Sequence, residues 1–162
     1  MKKKYIYKYL FVVLFVAGLV GIDILTKVLL EGKTINIIGD FFVFQSVHNF
    51  GAGLGILSGQ RILLIVLTSV LIVSFVMFDV FYKNQSKLYF VAFNFILAGA
   101  IGNLIDRIFL GYVRDFIYIN IKIMPYYFNI ADVLLTFGVV LLIIEILFKR
   151  ERKKNDSEVE SK

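Results

Sequence analysis

Asp115 and Asp132 are the residues of this chain best suited to chemistry. Asp115 stands in the segment GYVRDF. Asp132 follows Asn129 by three positions, on one face of a helix predicted over 128–148. Two carboxylates brought close cannot both ionise cheaply, so one keeps a proton. The ionised partner can then activate a water, and the protonated one can act as an acid toward a carbonyl or a leaving amine. Peptide-bond hydrolysis needs that pair of roles. A proton or cation pathway uses the same groups, and spacing alone leaves both readings open.

Other costly polar residues accompany this pair. Asp23 and Lys27 are four apart, so they share a helix face and can form a buried ion pair that holds their helix to its neighbours. Gly99, Gly102, Asn103 and Asp106 fall at i, i+3, i+4 and i+7, one face of a helix, with the glycines allowing close approach of a neighbour. Arg107 follows at once, a fixed cation with a planar fork of donors. Asp106 and Arg107 suit a structural network and a substrate-orienting role equally. His48 precedes Asn49-Phe50-Gly51-Ala52-Gly53, where glycines permit an irregular backbone; His48 itself reads as an interfacial polar residue. Cysteine is absent and His48 is the one histidine, which argues against a thiol nucleophile, a disulfide or a zinc site.

The elements that must carry these residues are membrane helices. Of 162 residues, 59% are hydrophobic, and the mean hydropathy of +0.83 is too high for a soluble domain of this size. A bilayer core takes about 20 apolar residues per helix. Four such stretches are expected, at roughly 9–30, 61–82, 88–108 and 128–148, forming one transmembrane domain over 1–148 followed by a charged, disordered tail at 149–162. The fold class expected is an all-α integral membrane protein of four transmembrane helices. A small extracytoplasmic β or loop region is expected between helices one and two, at 31–59, and plain loops at 83–87 and 109–127. The N-terminal run has the make-up of a secretory signal peptide, but no small-x-small site follows it and the apolar pattern continues to Leu30. It is expected to remain as a helix of about 33 Å, long enough to span.

Charge sets the orientation. The net charge of +6 is concentrated before helix one, between helices two and three, and after helix four. That pattern suits membrane topology rather than nucleic acid, and it puts both termini in the cytoplasm. Asp79 and Glu145 then lie toward the cytoplasmic face. Asp23, Lys27, Asp106, Arg107, Asp115 and Asp132 all fall at the outer face, where charges within a membrane must look into a cavity or at a partner.

These segments together resemble the bacterial lipoprotein signal peptidase (signal peptidase II) family. The matching runs are Asp23-Ile-Leu-Thr-Lys27, Asn49-Phe-Gly51-Ala52, Gly102-Asn103-Leu-Ile-Asp106-Arg107, Gly111-Tyr-Val113-Arg-Asp115-Phe116 and Phe128-Asn129-Ile-Ala131-Asp132, in order over residues 9–148. The resemblance implies an aspartic endopeptidase of the bacterial plasma membrane. Such an enzyme removes signal peptides from prolipoproteins by cutting before the diacylglyceryl-modified cysteine. It implies Asp115 and Asp132 as the catalytic pair, with Asn103, Asp106, Arg107, Asn129, Ala131, Asn49 and Gly51 around them and Asp23 and Lys27 in support. It implies no metal and no cofactor. The expected partners are diacylglyceryl-modified prolipoprotein signal peptides and membrane lipids, with the chain acting as a monomer. Leu54 stands where an aromatic residue is frequent in the family, and Ile24 where glutamine is common. A small proton- or cation-coupled transporter is the competing reading, but it would place its acidic residues near the midplane of an internal repeat. A structural scaffold would leave Asp115, Asn129 and Asp132 without a reason for their desolvation cost.

Overall fold

A computed structural model describes residues 2–82, 86–121 and 124–160. Helix α1 spans Lys2–Leu30, followed by strands β1 (Thr34–Ile38) and β2 (Phe42–Asn49) and a 3-10 turn at Gly53–Gly55. Helices α2 (Arg61–Phe81) and α3 (Lys87–Phe109) come next, then strands β3 (Val113–Ile121) and β4 (Met124–Phe128), and last helix α4 (Ile130–Glu160). Most of the connection expected at 83–87 lies outside the described residues, and of Leu54 only the backbone is described.

Among the described residues, four stretches are long and apolar enough to cross a membrane: Ile6–Leu30, Arg61–Phe81, Lys87–Phe109 and Ile130–Arg150. Half of the α3 stretch is buried, against 17% or less in the other three, so α3 is the central helix and the others pack around it. Aromatic and aliphatic side chains of α1 and α3 form the core, with Val16 and Val20 against Phe93 and Leu97. Close approach of α4 to α3 depends on glycine. A Cβ on Gly99 would overlap the backbone at Ala131 and Leu135. A Cβ on Gly102 would lie 2.6 Å from Asp23 Oδ2 and 3.2 Å from Ala131 Cβ, so α1 and α4 can both reach α3 at this level.

Two expectations need correction. The fold is not all-α: a four-stranded antiparallel sheet in the order β1-β2-β3-β4 joins the 31–59 region to residues 113–128, which the sequence reading expects to be a loop. The run VRDFIYINI is rich in β-branched and aromatic residues and pairs with β2 through Asn49↔Val113, His48↔Arg114 and Val47↔Asp115. A register shift between Phe44 and Val47 bends β2 beside Asp115. The second correction is at the tail. Helix α4 continues past 148 to Glu160, because 139–160 contains no Gly or Pro and its charged end is rich in helix-forming Lys, Arg and Glu.

Candidate active site

Every candidate site residue named from the sequence comes to one end of the bundle, under the sheet. Asp115 arrives on β3 and Asp132 in the first turn of α4. Asn129 lies between β4 and α4 and begins the helix with a reciprocal cap. Its Oδ1 accepts from the Asp132 backbone N–H at 2.9 Å, and its own N–H donates to Asp132 Oδ2 at 3.2 Å. The same side chain donates through Nδ2 to Asp115 Oδ1 at 2.6 Å. One asparagine therefore ties both aspartates together.

The remaining oxygens are also held. Asn49, at the end of β2, donates to Asp115 Oδ2 at 2.9 Å, and its Oδ1 accepts from Gly51 N–H at 2.9 Å. Asn103 of α3 donates to Asp132 Oδ1 at 2.8 Å, while its Oδ1 accepts from Lys27 Nζ at 3.0 Å and from Asn129 Nδ2 at 3.2 Å. These amides fix the carboxylates in place while adding no charge.

Beneath them lies a buried ion network. Lys27 Nζ is 2.7 Å from Asp23 Oδ2 and 3.4 Å from Asp106 Oδ2, with all three side chains 0–1% exposed. Asp23 turns its other oxygen to accept from the Ala131 N–H at 2.8 Å, which anchors the start of α4 to α1. The sequence reading couples Asp106 to Arg107, and here the structure differs. Asp106 pairs instead with Arg114, whose Nη2 donates at 2.7 Å and whose backbone N–H donates at 3.1 Å. Adjacent residues on a helix point in different directions, so Arg107 is free to reach outward and donate to Gly51 O at 3.0 Å. Arg114 had no role assigned from the sequence. Its signal was present: a charge inside the run VRDFIYI, next to a buried aspartate, must have a buried partner.

Electrostatics separates Asp115 from an ordinary surface carboxylate. Burial first, and then the charge of Asp132, raise its pKa from 3.8 to about 6, against the opposing hydrogen bonds from Asn49 and Asn129. Burial and then the charges of Asp132 and Asp115 also push the Tyr126 phenol upward, so it stays a neutral neighbour of the pair. Among the described residues, no three His, Cys, Asp or Glu side chains are grouped so as to hold a metal ion.

Asp132 opens onto space of two kinds. A polar chamber of about 190 Å³ is lined by Asn49, Asn103, Arg107, Tyr126 and Asp132. An apolar cavity of about 370 Å³ runs from Asn103 and Asp132 between α2, α3 and α4, past Leu64, Leu71 and Phe75. Polar and apolar surroundings thus meet at Asp132.

The sequence model of the Signal peptidase (SPase) II family matches residues 15–148. The chain belongs to the signal peptidase II family. Among its relatives, a lipoprotein signal peptidase of Clostridium novyi is 41% identical over 123 residues, covering 75% of this chain and 83% of the relative. One from Clostridium tetani is 38% identical over 143 residues, covering 84% and 91%. One from Staphylococcus aureus is 40% identical over 129 residues, covering 79% and 78%. A solved structure of a bacterial membrane enzyme, determined by the in meso method at 2.3 Å, superposes with a TM-score of 0.80 at 34% identity, over 88% of this chain and 90% of that one. Membership of the signal peptidase II family and four spanning helices make this a multi-pass bacterial membrane peptidase.

Proposed function

We propose that this chain removes the signal peptide from prolipoproteins by aspartic chemistry, cutting just before the diacylglyceryl-modified cysteine, with Asp115 and Asp132 as the catalytic pair. The observation that carries the reading is the shared contact of Asn129 with both aspartates, one of which, Asp132, lines an apolar cavity. In this reading the pair shares one proton. The ionised aspartate takes a proton from water as that water attacks the scissile carbonyl carbon. The protonated aspartate gives its proton to the carbonyl oxygen, and the resulting tetrahedral diol collapses with proton transfer to the leaving amine. The amides of Asn49, Asn103 and Asn129 orient the two carboxylates, and Lys27 with Arg114 offsets the buried charge of Asp23 and Asp106.

The substrate's own anatomy fits these surroundings. Its signal segment is an apolar helix suited to the cavity between α2, α3 and α4, and its scissile bond lies where that helix leaves the membrane. The site sits at the end of the bundle, under the sheet, which supports placement at the extracytoplasmic face with both termini inside. A transporter would want these acids at mid-membrane. The test is cleavage of a purified lipidated precursor by the wild type and by Asp115→Asn. Loss of cleavage in a folded variant supports the aspartic reading, and retained cleavage overturns it.

A further inference from the structure

We infer that the stretch of substrate around the scissile bond docks as an extended strand along the free edge of β4, a claim that rests on the peptidase reading above. The starting point is the state of the substrate. A carbonyl inside a helix is hydrogen-bonded and screened by its neighbours, so the chain must unwind locally before water can attack. Unwinding at a membrane boundary leaves backbone N–H and C=O groups without partners, which is costly where water is scarce. A sheet edge supplies those partners in a regular array.

The sheet has its free edge in the needed place. Its order ends at β4, which pairs with β3 from Ile117↔Phe128 to Ile121↔Met124 and has no strand on its other side among the described residues. Residue Pro125 has no N–H to donate, so the donors that β4 can offer a substrate strand lie mainly from Tyr126 to Phe128. Phe128 is followed by Asn129, and Asp132 comes one turn later, so a chain lying along β4 runs directly to the aspartates. Tyr126, 39% exposed, lines both the polar chamber and a second apolar cavity of about 310 Å³ that follows α4 from Asp132 to Val140. The other edge, β1, is separated from Asp115 by β2 and has no such continuity. An antiparallel or parallel ladder turns alternate residues toward the partner strand. Recognition at β4 is therefore of backbone groups spaced two residues apart, indifferent to the side chains between them.

The test leaves the enzyme untouched. Lipidated precursor peptides are made with one backbone amide at a time replaced by an ester, across the residues flanking the scissile bond but not at it, and kcat and KM are measured. Loss of one backbone hydrogen bond corresponds to roughly tenfold. The expected result is about tenfold losses at alternate positions, carried by KM, with the intervening positions near wild type. Losses at consecutive positions, or no losses at all, overturn the edge docking. A second copy of the chain occupying the β4 edge would give the flat profile together with a dimer in solution, and that also overturns it. If the unmodified lipidated precursor is not cleaved, the peptidase reading itself has failed, a result distinct from a flat scan of a cleaved substrate.

Discussion

The side-chain amide of Asn129 donates to Asp115 at 2.6 Å while the rest of the residue caps the helix that carries Asp132. The two jobs can be separated. Asn129→Ser keeps a good helix cap but loses the amide donor. Asn129→Ala loses both, and the lost cap costs about 1 kcal/mol. We expect both variants to lose at least tenfold in kcat with KM little changed, while a thermal shift assay finds the alanine variant the more destabilised of the two. Wild-type kcat in Asn129→Ser would show that the cap alone matters.

Asp115→Asn and Asp132→Asn should each reduce cleavage by roughly 10²–10⁴-fold, the range of general acid–base catalysis, because an amide cannot exchange the required proton. Cleavage of a lipidated precursor, read beside melting temperature, distinguishes chemistry from misfolding. Asp79→Asn and Glu145→Gln lie at the far end of the bundle, yet both side chains are buried. They should leave kcat within about twofold while lowering stability by about 1–3 kcal/mol.

The pH dependence has a definite sign. Asp115 has a pKa of about 6 in the folded protein against an ordinary value of 3.8. Its folded value is the higher one, so its contribution to stability is fully present below 3.8 and is lost as the pH rises to about 6. The loss amounts to about 3 kcal/mol. The stability of Asp115→Asn relative to wild type should therefore improve across that window and level off above it. Asp132→Asn removes one cause of the elevation, so an infrared titration of the Asp115 carboxyl should find its midpoint lower than in wild type. An unchanged or higher midpoint contradicts the coupling.

Lys27 is the sole ammonium between Asp23 and Asp106 among the described contacts. Lys27→Met leaves two buried carboxylates short of a partner, a change worth about 3–5 kcal/mol. Chemical denaturation in detergent should find it the least stable of the variants here, and adding Asp23→Asn should restore part of the loss.

The native chain has no cysteine, which makes orientation directly testable. Asp40→Cys, in the exposed turn between β1 and β2, should react with an impermeant maleimide on intact cells, and Arg150→Cys should react only after permeabilisation. The reverse pattern would invert the topology. Four carboxylates, Asp23, Asp106, Asp115 and Asp132, face the three cations Lys27, Arg107 and Arg114, the last of which also meets the partly exposed Glu31. That near balance leaves little attraction for a divalent ion, so cleavage should survive a strong chelator and should fall when the precursor lacks its diacylglyceryl group.

Much of the site was legible because membranes make polar residues expensive. Asn103 and Asp106 share a helix face with Gly102, and Asn129 and Asp132 stand three apart, so both groupings could be read from spacing; that Asn129 caps the helix rather than lying within it comes from the structure. The sheet was less legible. Strand β3 owes its pairing to β2, more than sixty residues earlier, and the two runs carry no helix-like period that would announce it. Arg114 escaped for the same reason: its partner Asp106 comes from a different element, and only the β3 register turns the guanidinium toward α3. The continuation of α4 beyond the membrane was missed because charge suggests solvation, and solvation is compatible with a helix.

A single residue joins β4 to α4, so the junction has no slack. The sheet outside the bundle is therefore tied to the helix that carries Asp132 through Asn129 alone. A tilt imposed on β4 would turn the Asn129 backbone and side chain together, moving the donor to Asp115 and the cap on Asp132 in one stroke. Alignment of the pair would then report whether the sheet is loaded, and a peptide that failed to seat on it would meet two aspartates out of phase.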